Sequence, residues 1–278
     1  QETILNYFLA QRVKAKEKID QLASKLSRYL SPQVYQSIFS GKKNVKIEAY
    51  RKKLTVFFSD IKGFTEITDR LEPEVLSTLL NSYLNEMSKI ALKYGGTIDK
   101  FVGDAILIFF GDPETKGDKE DAYSCVLMAL EMQERMHHLK NLWEGQGITN
   151  PLEIRIGINT GYCNVGNFGS ENRLDYTIIG GEVNLASRLE SNAMTGQILI
   201  SQETYALIKK HIVCEKKDEI KVKGIAHKIQ TYQVVGSYKN IALQRKILIE
   251  EFDGFNLNID LNISKKNEVI TSLENTLK

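Results

Sequence analysis

The sequence is poor in the features that mark several whole classes of protein. Its 278 residues include only three cysteines, Cys125, Cys163 and Cys214, and none of them forms a CxxC pair. This argues against a disulfide framework or a structural zinc site, and it fits a reducing compartment. With only four prolines and 19 glycines, a large disordered fraction is also disfavoured.

Net charge and long apolar runs are missing as well. Lys and Arg total 37 against 35 for Asp and Glu, so the net charge of +2 gives no field strong enough to predict a nucleic-acid partner. The longest apolar run, 105–110, is far shorter than the roughly 20 residues of a membrane helix. We therefore expect a cytoplasmic globular chain. Its first residue is Gln rather than Met, so the sequence does not exclude an upstream sensor or a membrane tether in a longer protein.

The first 30 residues carry apolar or small side chains in a 3-4 spacing, separated by Lys, Glu and Gln. This spacing is typical of a short coiled coil, although a single amphipathic helix packed on its own domain gives the same pattern. Ser31 and Pro32 are predicted to end this helix and to cap a second one, which ends near 41–44. Seven of the eight seam positions are apolar or small, and the exception, Arg12, weakens the coiled-coil pattern or sets its register; the positions are Leu5, Phe8, Arg12, Ala15, Ile19, Leu22, Leu26 and Tyr29.

Strands and helices alternate from residue 45 onward, with turn signals between them. This order predicts an α+β fold, an α/β sandwich in which helices pack against a mixed sheet. We expect a loop at 59–63 after the first strand and a turn at Thr160 and Gly161 after the fourth. The predicted strands are 53–58, 97–101, 105–110, 152–159, 176–179 and 196–200, the longer helices are 73–94, 118–142 and 182–191, and a last hairpin spans 221–235.

The last 40 residues follow a different pattern. Apolar and polar side chains alternate over 255–263, which predicts a strand with one polar face, and Ser264 is predicted to cap a helix after it. No chemistry is recognisable there. The chain thus divides into a helical linker at 1–44, a central domain at 45–236 and a strand-helix appendage at 237–278.

Two aspartates stand at the ends of predicted buried strands. Asp60 follows the apolar run 53–58, and Asp104 lies in the turn between two apolar strands. A carboxylate in such a place is costly unless it is paired or bound to a cation. The two together would form an oxygen-rich site for two Mg²⁺ or Mn²⁺ ions, although each could simply cap a turn.

Two further segments contain residue types that are common at phosphate-binding sites. Gly63 lets backbone N–H groups approach a ligand, and Thr65 is predicted to cap the helix that follows. Asn184 and Arg188 are four residues apart and so share one helix face. Because its neighbours are apolar, Arg188 needs an anionic partner, for which a structural salt bridge is favoured over a phosphate.

Three stretches together resemble the signature motifs of class III nucleotidyl cyclase catalytic domains of the adenylyl cyclase type. They are FFSDIKGFT at 57–65, DKFVGDA at 99–105 and YTIIGGEVNLASR at 176–188, and the resemblance covers 45–236. It implies a ferredoxin-like mixed sheet and a head-to-tail homodimer with shared sites. The implied reaction converts ATP to cyclic AMP and pyrophosphate, assisted by two divalent cations, in signal transduction under an upstream sensor.

The resemblance also implies roles for individual residues. Lys100 and Thr177 would read the adenine, Asn184 would position the ribose, and Arg188 would stabilise the transition state. The metal set would be Asp60, Asp104 and the backbone carbonyl of Ile61. The remaining substrate-binding set would be Phe64, Thr65, Arg155 and Lys223, with Lys221 competing for the place of Lys223.

The base preference rests on Lys100 and Thr177. A lysine ammonium can only donate, which suits adenine N1, and a threonine hydroxyl can accept from the adenine amino group. The family's guanylyl cyclases typically carry Glu and Cys at these positions, so ATP is favoured over GTP. A catalytically silent, nucleotide-sensing dimerisation domain stays open as the alternative, whereas a diguanylate cyclase is disfavoured because a helix follows the Gly-Gly-Glu at 180–182.

Overall fold

The architecture is an α/β sandwich built on one large mixed sheet, as predicted. It is taken from a computed structural model, which describes residues 2–41, 46–145, 148, 151–221, 228–238, 247–252, 255–260, 270–271 and 274. The strands are β1 (Ala49–Ile61), β2 (Thr97–Val102), β3 (Ala105–Phe110), β4 (Ile154–Ser170), β5 (Arg173–Ile179), β6 (Ile198–Ser201), β7 (Ile212–Lys216), β8 (Thr231–Ser237), β9 (Ile247–Phe252) and β10 (Phe255–Asp260).

Helices fill most of the chain between the strands. A single 3₁₀ turn, Ser27–Tyr29, links the first two of them. Within the described ranges, none of the helices is long and apolar enough to cross a membrane. The helices are α1 (Glu2–Leu26), α2 (Pro32–Phe39), α3 (Phe64–Thr68), α4 (Pro73–Tyr94), α5 (Asp118–Gly145), α6 (Gly181–Asn192) and α7 (Gln202–Ile208).

The large sheet has the strand order β2-β3-β1-β4-β6-β8-β7, with β5 paired to β4. Only β4 and β6 run parallel among its described pairs, and the rest are antiparallel. Side chains of β1 alternate between two buried clusters: Phe57 packs with α4 and α5, while Val56 packs with β5 and α6. The sheet therefore has helices on both faces, and its central strands are buried on both.

Two predicted turns proved wrong because long-range pairing extends the strands. The first strand was expected to end at 58, but β1 continues through Asp60 to Ile61, which pairs with Ile154 of β4. Thr160 and Gly161 were expected to form a turn, yet both lie inside β4, opposite Thr55 and Leu54. The loop after β1 is thus shorter than predicted.

The N-terminal helix is present, and its described side chains are almost all exposed. Ile19 is 62% and Leu22 is 52% exposed, so the alternative of a helix packed on its own domain does not hold for these residues, and the predicted coiled coil stays a prediction. Ser31 precedes α2 as expected but does not cap it, because its hydroxyl donates to Gln33 Oε1 at 2.9 Å. Among the seam positions whose side chains are described, Ile19 and Leu22 are left exposed rather than packed on the sheet or its helices.

The C-terminal part departs further from the prediction. The strand expected at 255–263 is present as β10 over 255–260, but it pairs with β9, which was not predicted. Residues 270, 271 and 274 are helical, as the predicted C-terminal helix requires. Strand β7 was also missed, and of the predicted hairpin only the bridge between Ile220 and Ile229 and strand β8 lie in described ranges.

Candidate active site

The two predicted metal-binding aspartates lie next to each other at one edge of the sheet. Asp60 is the penultimate residue of β1, and Asp104 sits in the β2–β3 turn, where Gly103 has a φ of 65°. The Asp104 carboxylate accepts the backbone N–H of Ile61 at 3.0 Å, which ties the turn to the end of β1. Burial and the adjacent Asp60 carboxylate raise the pKa of Asp104 to about 6. Two half-buried carboxylates this close together, one of them with a raised pKa, fit a cation site.

The chemistry of this donor set suits magnesium or manganese. Among the described residues, no group of three or more His, Cys, Asp or Glu side chains could hold a metal ion. Mg²⁺ in nucleotide enzymes is commonly bound by one or two carboxylates, with substrate phosphates and water completing its shell. Asp60, Asp104 and the Ile61 carbonyl fit that pattern.

Arg155 joins this edge from the neighbouring strand. It pairs in register with Asp60, and its Nη2 lies 3.5 Å from Asp60 Oδ2 and 2.8 Å from Glu190 Oε1. The Glu190 side chain is only 4% exposed. Burial raises the pKa of Glu190, and the Arg155 guanidinium opposes that rise. The predicted triphosphate-binding arginine is therefore held beside the Asp60 carboxylate by a buried glutamate that the sequence analysis did not single out.

Lys100 and Thr177 are brought together by a residue between them. Asp99 of β2 has a side chain that is 1% exposed, and its Oδ1 lies 3.4 Å from the Lys100 ammonium. Its Oδ2 accepts from the Thr177 hydroxyl at 2.6 Å and from the Ile178 N–H at 3.2 Å. Burial raises the pKa of Asp99, and these donors oppose that rise. The two predicted base-reading residues thus share one carboxylate.

A cavity opens beside these base-reading residues. Its volume is about 300 Å³, and Asp99 and Lys100 line it together with Tyr29 and Leu30 from the N-terminal segment. Helix α2 is anchored next to β2, the strand that carries Asp99 and Lys100, because Gln33 Nε2 donates to the carbonyl of Gly96 at 2.8 Å, one residue before that strand begins. A larger groove, of about 400 Å³, lies between α4 and α5 and is lined by none of the predicted site residues.

Helix α6 is positioned by two glycines in β4. A Cβ at Gly157 would stand 2.2 Å from both the Ala186 carbonyl oxygen and the Glu190 nitrogen, so only glycine lets the helix lie this close. A Cβ at Gly161 would stand 2.5 Å from Cδ of Glu182. Asn159 between them donates to the side chain of Glu182 at 2.7 Å. Gly161, read from the sequence as a turn residue, is needed for close approach.

The outer face of α6 carries Asn184 and Arg188, and both are exposed. Leu185, Ala186 and Leu189 on its inner face are buried. The salt bridge expected for Arg188 is not seen: across the described ranges its guanidinium has no ion pair. Neither Asn184 nor Arg188 contacts the carboxylate pair within the part of the chain that is described.

The remaining predicted substrate-binding residues are Phe64, Thr65, Lys221 and Lys223. Phe64 packs against the main core at the start of α3, and Thr65 is exposed. The prediction that Thr65 caps this helix is wrong, because the N-cap position is Gly63, with a φ of 68°. Lys221 is exposed, and Lys223 lies outside the described residues.

Sequence reasoning missed Asp99, Asn159, Glu182 and Glu190. Asn159 and Glu190 are polar residues beside buried apolar ones, which is the signal that could have identified them, whereas Asp99 and Glu182 lie in partly exposed stretches that give no such signal. Their hydrogen-bonding and ion-pair partners lie on other strands or helices. The local sequence can therefore indicate that a polar group is buried, but it cannot identify the residue that pairs with it.

Comparison with known proteins now decides the family. Residues 45–236 match the family model described as the adenylate and guanylate cyclase catalytic domain. This chain belongs to that family. The cyclase fold accounts for the paired strand ends at Asp60 and Asp104 and for the helix that follows β5.

Solved cyclase structures are similar over the same part of the chain. The adenylyl cyclase CyaB from P. aeruginosa is 64% identical, with a TM-score of 0.68, covering 69% of this chain and 98% of that one. The guanylyl cyclase Cya2 is 37% identical, with a TM-score of 0.65, covering 69% and 95%.

A curated relative gives the same family. The terminal-differentiation specific adenylate cyclase of Dictyostelium discoideum is 34% identical over 228 residues, which are 80% of this chain and 10% of that protein. The chain spans 39% of the Anabaena cylindrica adenylate cyclase and 28% of adenylate cyclase 1 of Rhizobium meliloti. The chain therefore spans well under half the length of each of these relatives.

Proposed function

We propose that this cyclase domain converts ATP to cyclic AMP and pyrophosphate. The choice of ATP rests on one observation: Lys100 and Thr177 both contact the Asp99 carboxylate, which places an ammonium donor and a hydroxyl side by side. Adenine offers an acceptor at N1 and a donor at its amino group, which match a lysine and an accepting threonine. Guanine in the same pose offers the reverse pattern. The 64% identity to an adenylyl cyclase supports the same choice.

The carboxylate edge would hold the catalytic cations. Asp60, Asp104 and the Ile61 carbonyl would bind two Mg²⁺ or Mn²⁺ ions. When bound, these would lower the pKa of the ribose 3′-hydroxyl and neutralise charge on the triphosphate. Arg155 lies beside Asp60, and when the nucleotide binds it would leave the Asp60 carboxylate and contact the triphosphate instead. Phe64, Thr65 and either Lys223 or Lys221 would complete the phosphate side.

The reaction is attack of the ribose 3′-oxygen on the α-phosphorus, with pyrophosphate as the leaving group. Asn184 would orient the ribose so that its 3′-oxygen is in line with the leaving group. Arg188 would donate to the α-phosphoryl oxygens as charge develops on them. Both side chains are exposed in the single chain, so they are free to meet a nucleotide bound at another surface.

This separation supports a head-to-tail homodimer with two shared sites. The carboxylate edge of one protomer would face Lys100, Thr177, Asn184 and Arg188 of its partner. A two-fold dimer repeats the same contact twice, so one sequence can supply both halves. The helical linker at residues 1–44 would pair with its copy through α1, on which Ile19 and Leu22 are exposed. It would connect residues 45–236 to an upstream sensor. Residues 237–278 would form an appendage outside the catalytic domain.

The test is to incubate the purified chain with ATP and, separately, with GTP, each with Mg²⁺ or Mn²⁺, and to quantify both cyclic nucleotides. We expect cyclic AMP from ATP, with specific activity rising with protein concentration as dimers form. Cyclic GMP as the main product would overturn the choice of base. No product from a confirmed dimer with either metal would favour the alternative, a silent domain that dimerises and senses nucleotide.

A further inference from the structure

The geometry points to Asp99 as a specificity-determining residue that acts through Thr177 and Lys100 by fixing which of them donates and which accepts. This inference rests on the proposed use of ATP. Asp99 does not itself reach the base in this scheme. It is a positioning residue whose two oxygens are each committed to one base reader.

The protonation of the network follows from its donors. The Ile178 N–H and the Lys100 ammonium can only donate, and they approach Oδ2 at 3.2 Å and Oδ1 at 3.4 Å. The positive charge beside Oδ1 and the backbone donor on Oδ2 both favour the ionised carboxylate, which can only accept. The hydroxyl proton of Thr177, 2.6 Å from Oδ2, must therefore point at Asp99.

This arrangement removes the freedom of the threonine hydroxyl. A free hydroxyl carries one rotatable proton and can donate or accept as the ligand demands. With its proton held by Asp99, Thr177 can present only lone pairs to a base. It can accept from the adenine amino group, but it cannot turn to donate to the guanine carbonyl. The guanine carbonyl then faces an acceptor, and a ligand that leaves polar groups unpaired is rejected.

The other oxygen of Asp99 acts on Lys100. The lysine side chain is 42% exposed, and a long exposed side chain loses considerable rotamer freedom when it is ordered on a ligand. The Asp99 carboxylate holds its ammonium near Thr177 before any nucleotide arrives. Asp99 therefore contributes affinity for ATP through Lys100 and discrimination against GTP through Thr177.

The main experiment measures kcat/KM for ATP and for GTP in the full chain with Asp99→Ala. We expect the preference for ATP to fall about tenfold, the scale of one hydrogen bond, because the freed Thr177 hydroxyl can donate to guanine. A variant that only damages the fold would lower both values together and leave their ratio unchanged. An ATP preference within about twofold of the parent protein, in a variant that still makes cyclic AMP, would overturn the inference.

Asp99→Asn keeps the size of the side chain and protects the test against misfolding. Its carbonyl would stay with the Ile178 N–H and Thr177, and its amide –NH₂ would face Lys100. We expect KM for ATP to rise several-fold with a smaller loss of preference than in Asp99→Ala. The reverse order of the two variants would contradict the division of roles between the two oxygens.

A double-mutant cycle with Thr177→Val tests whether Asp99 acts through that hydroxyl. In the Thr177→Val background, removing Asp99 should change the ATP preference little, because no hydroxyl proton remains to fix. Additive losses would overturn the mechanism. Failure of the proposed function is distinguishable, since the parent protein would then make no cyclic AMP.

Asp121 provides the matched control. It is a buried carboxylate, 6% exposed, that accepts from the Thr115 hydroxyl at 2.5 Å and from the Lys116 N–H at 3.0 Å. Asp121→Ala removes the same kind of network from the start of α5. We expect it to leave the ratio of ATP to GTP use unchanged, and a shift as large as that of Asp99→Ala would overturn the inference.

Discussion

The carboxylate edge and the outer face of α6 differ in how much of their chemistry one chain completes. At the edge, Asp104 accepts the Ile61 N–H at 3.0 Å, and Arg155 lies 3.5 Å from Asp60. On α6, Asn184 and Arg188 are exposed, and Arg188 has no ion pair with the described residues. The carboxylates are thus held in place by contacts within their own chain, whereas the two α6 side chains remain exposed. This difference between the two regions is the one that the proposed dimer with shared sites requires.

The largest effect is expected at the carboxylate edge. Asp104→Asn should lower cyclase activity on the order of 10³-fold, because it removes one of two anionic ligands from the proposed cation site. The melting temperature should not fall, since Asn can still accept the Ile61 N–H and no longer opposes the Asp60 charge. Product formation and thermal unfolding are measured on the same preparation. Loss of activity together with loss of dimer or fold would instead mark Asp104 as structural.

Mixing two inactive variants tests whether the two halves belong to different protomers. Arg188→Ala should be inactive alone, like Asp104→Asn. In an equal mixture, half of the dimers are mixed and each has one intact site, so activity should return to about one quarter of the parent value. Activity is assayed after the mixture has equilibrated, with Asp104→Asn plus Asp60→Asn as the control pair, which cannot build an intact site. No recovery, with mixed dimers confirmed, would mean that each site lies within one chain.

The sequence predicts these two regions unequally. The strands β2 and β3 and the helices α4 and α5 follow from local apolar patterns, so they were predicted nearly to their ends. The carboxylates and Arg188 were recognisable because charged residues in apolar surroundings carry a cost that must be offset. The end of β1 at Ile61 was missed because it depends on a partner strand about 90 residues later in the chain.

Other features depend on contacts that no local pattern specifies. A glycine serves a turn or a close approach equally well, so Gly161 was read as a turn until α6 was placed against it. Asp99 and Glu190 were passed over for a related reason. Their roles depend on Thr177 and Arg155, which lie 78 and 35 residues away along the chain and meet them only in the folded sheet.

The packing of α6 on β4 links the two regions and can be broken without touching either. Gly157→Ala would force a Cβ to within 2.2 Å of the Ala186 carbonyl, so we expect a loss of about 3 kcal/mol of stability and a displaced Arg188. Gly181→Ala is the matched control, because its Cβ would meet nothing within 4 Å. Chemical denaturation and the cyclase assay measure both variants. Equal stabilities would show that α6 can shift at no cost.

The smallest effect is expected at α1, which lies outside the proposed site. Ile19 and Leu22 are 62% and 52% exposed, and replacing both with Ser should weaken the proposed pairing of α1 with its copy. Because most of the proposed contact lies in the catalytic domain, we expect only a few-fold rise in the dimer dissociation constant. Sedimentation and the dependence of activity on concentration measure it. Lys18 and Gln21, exposed polar residues of the same helix, are replaced with Ser as the control for helix propensity. If both pairs have the same effect, α1 acts as a spacer and its apolar side chains do not hold the two protomers together.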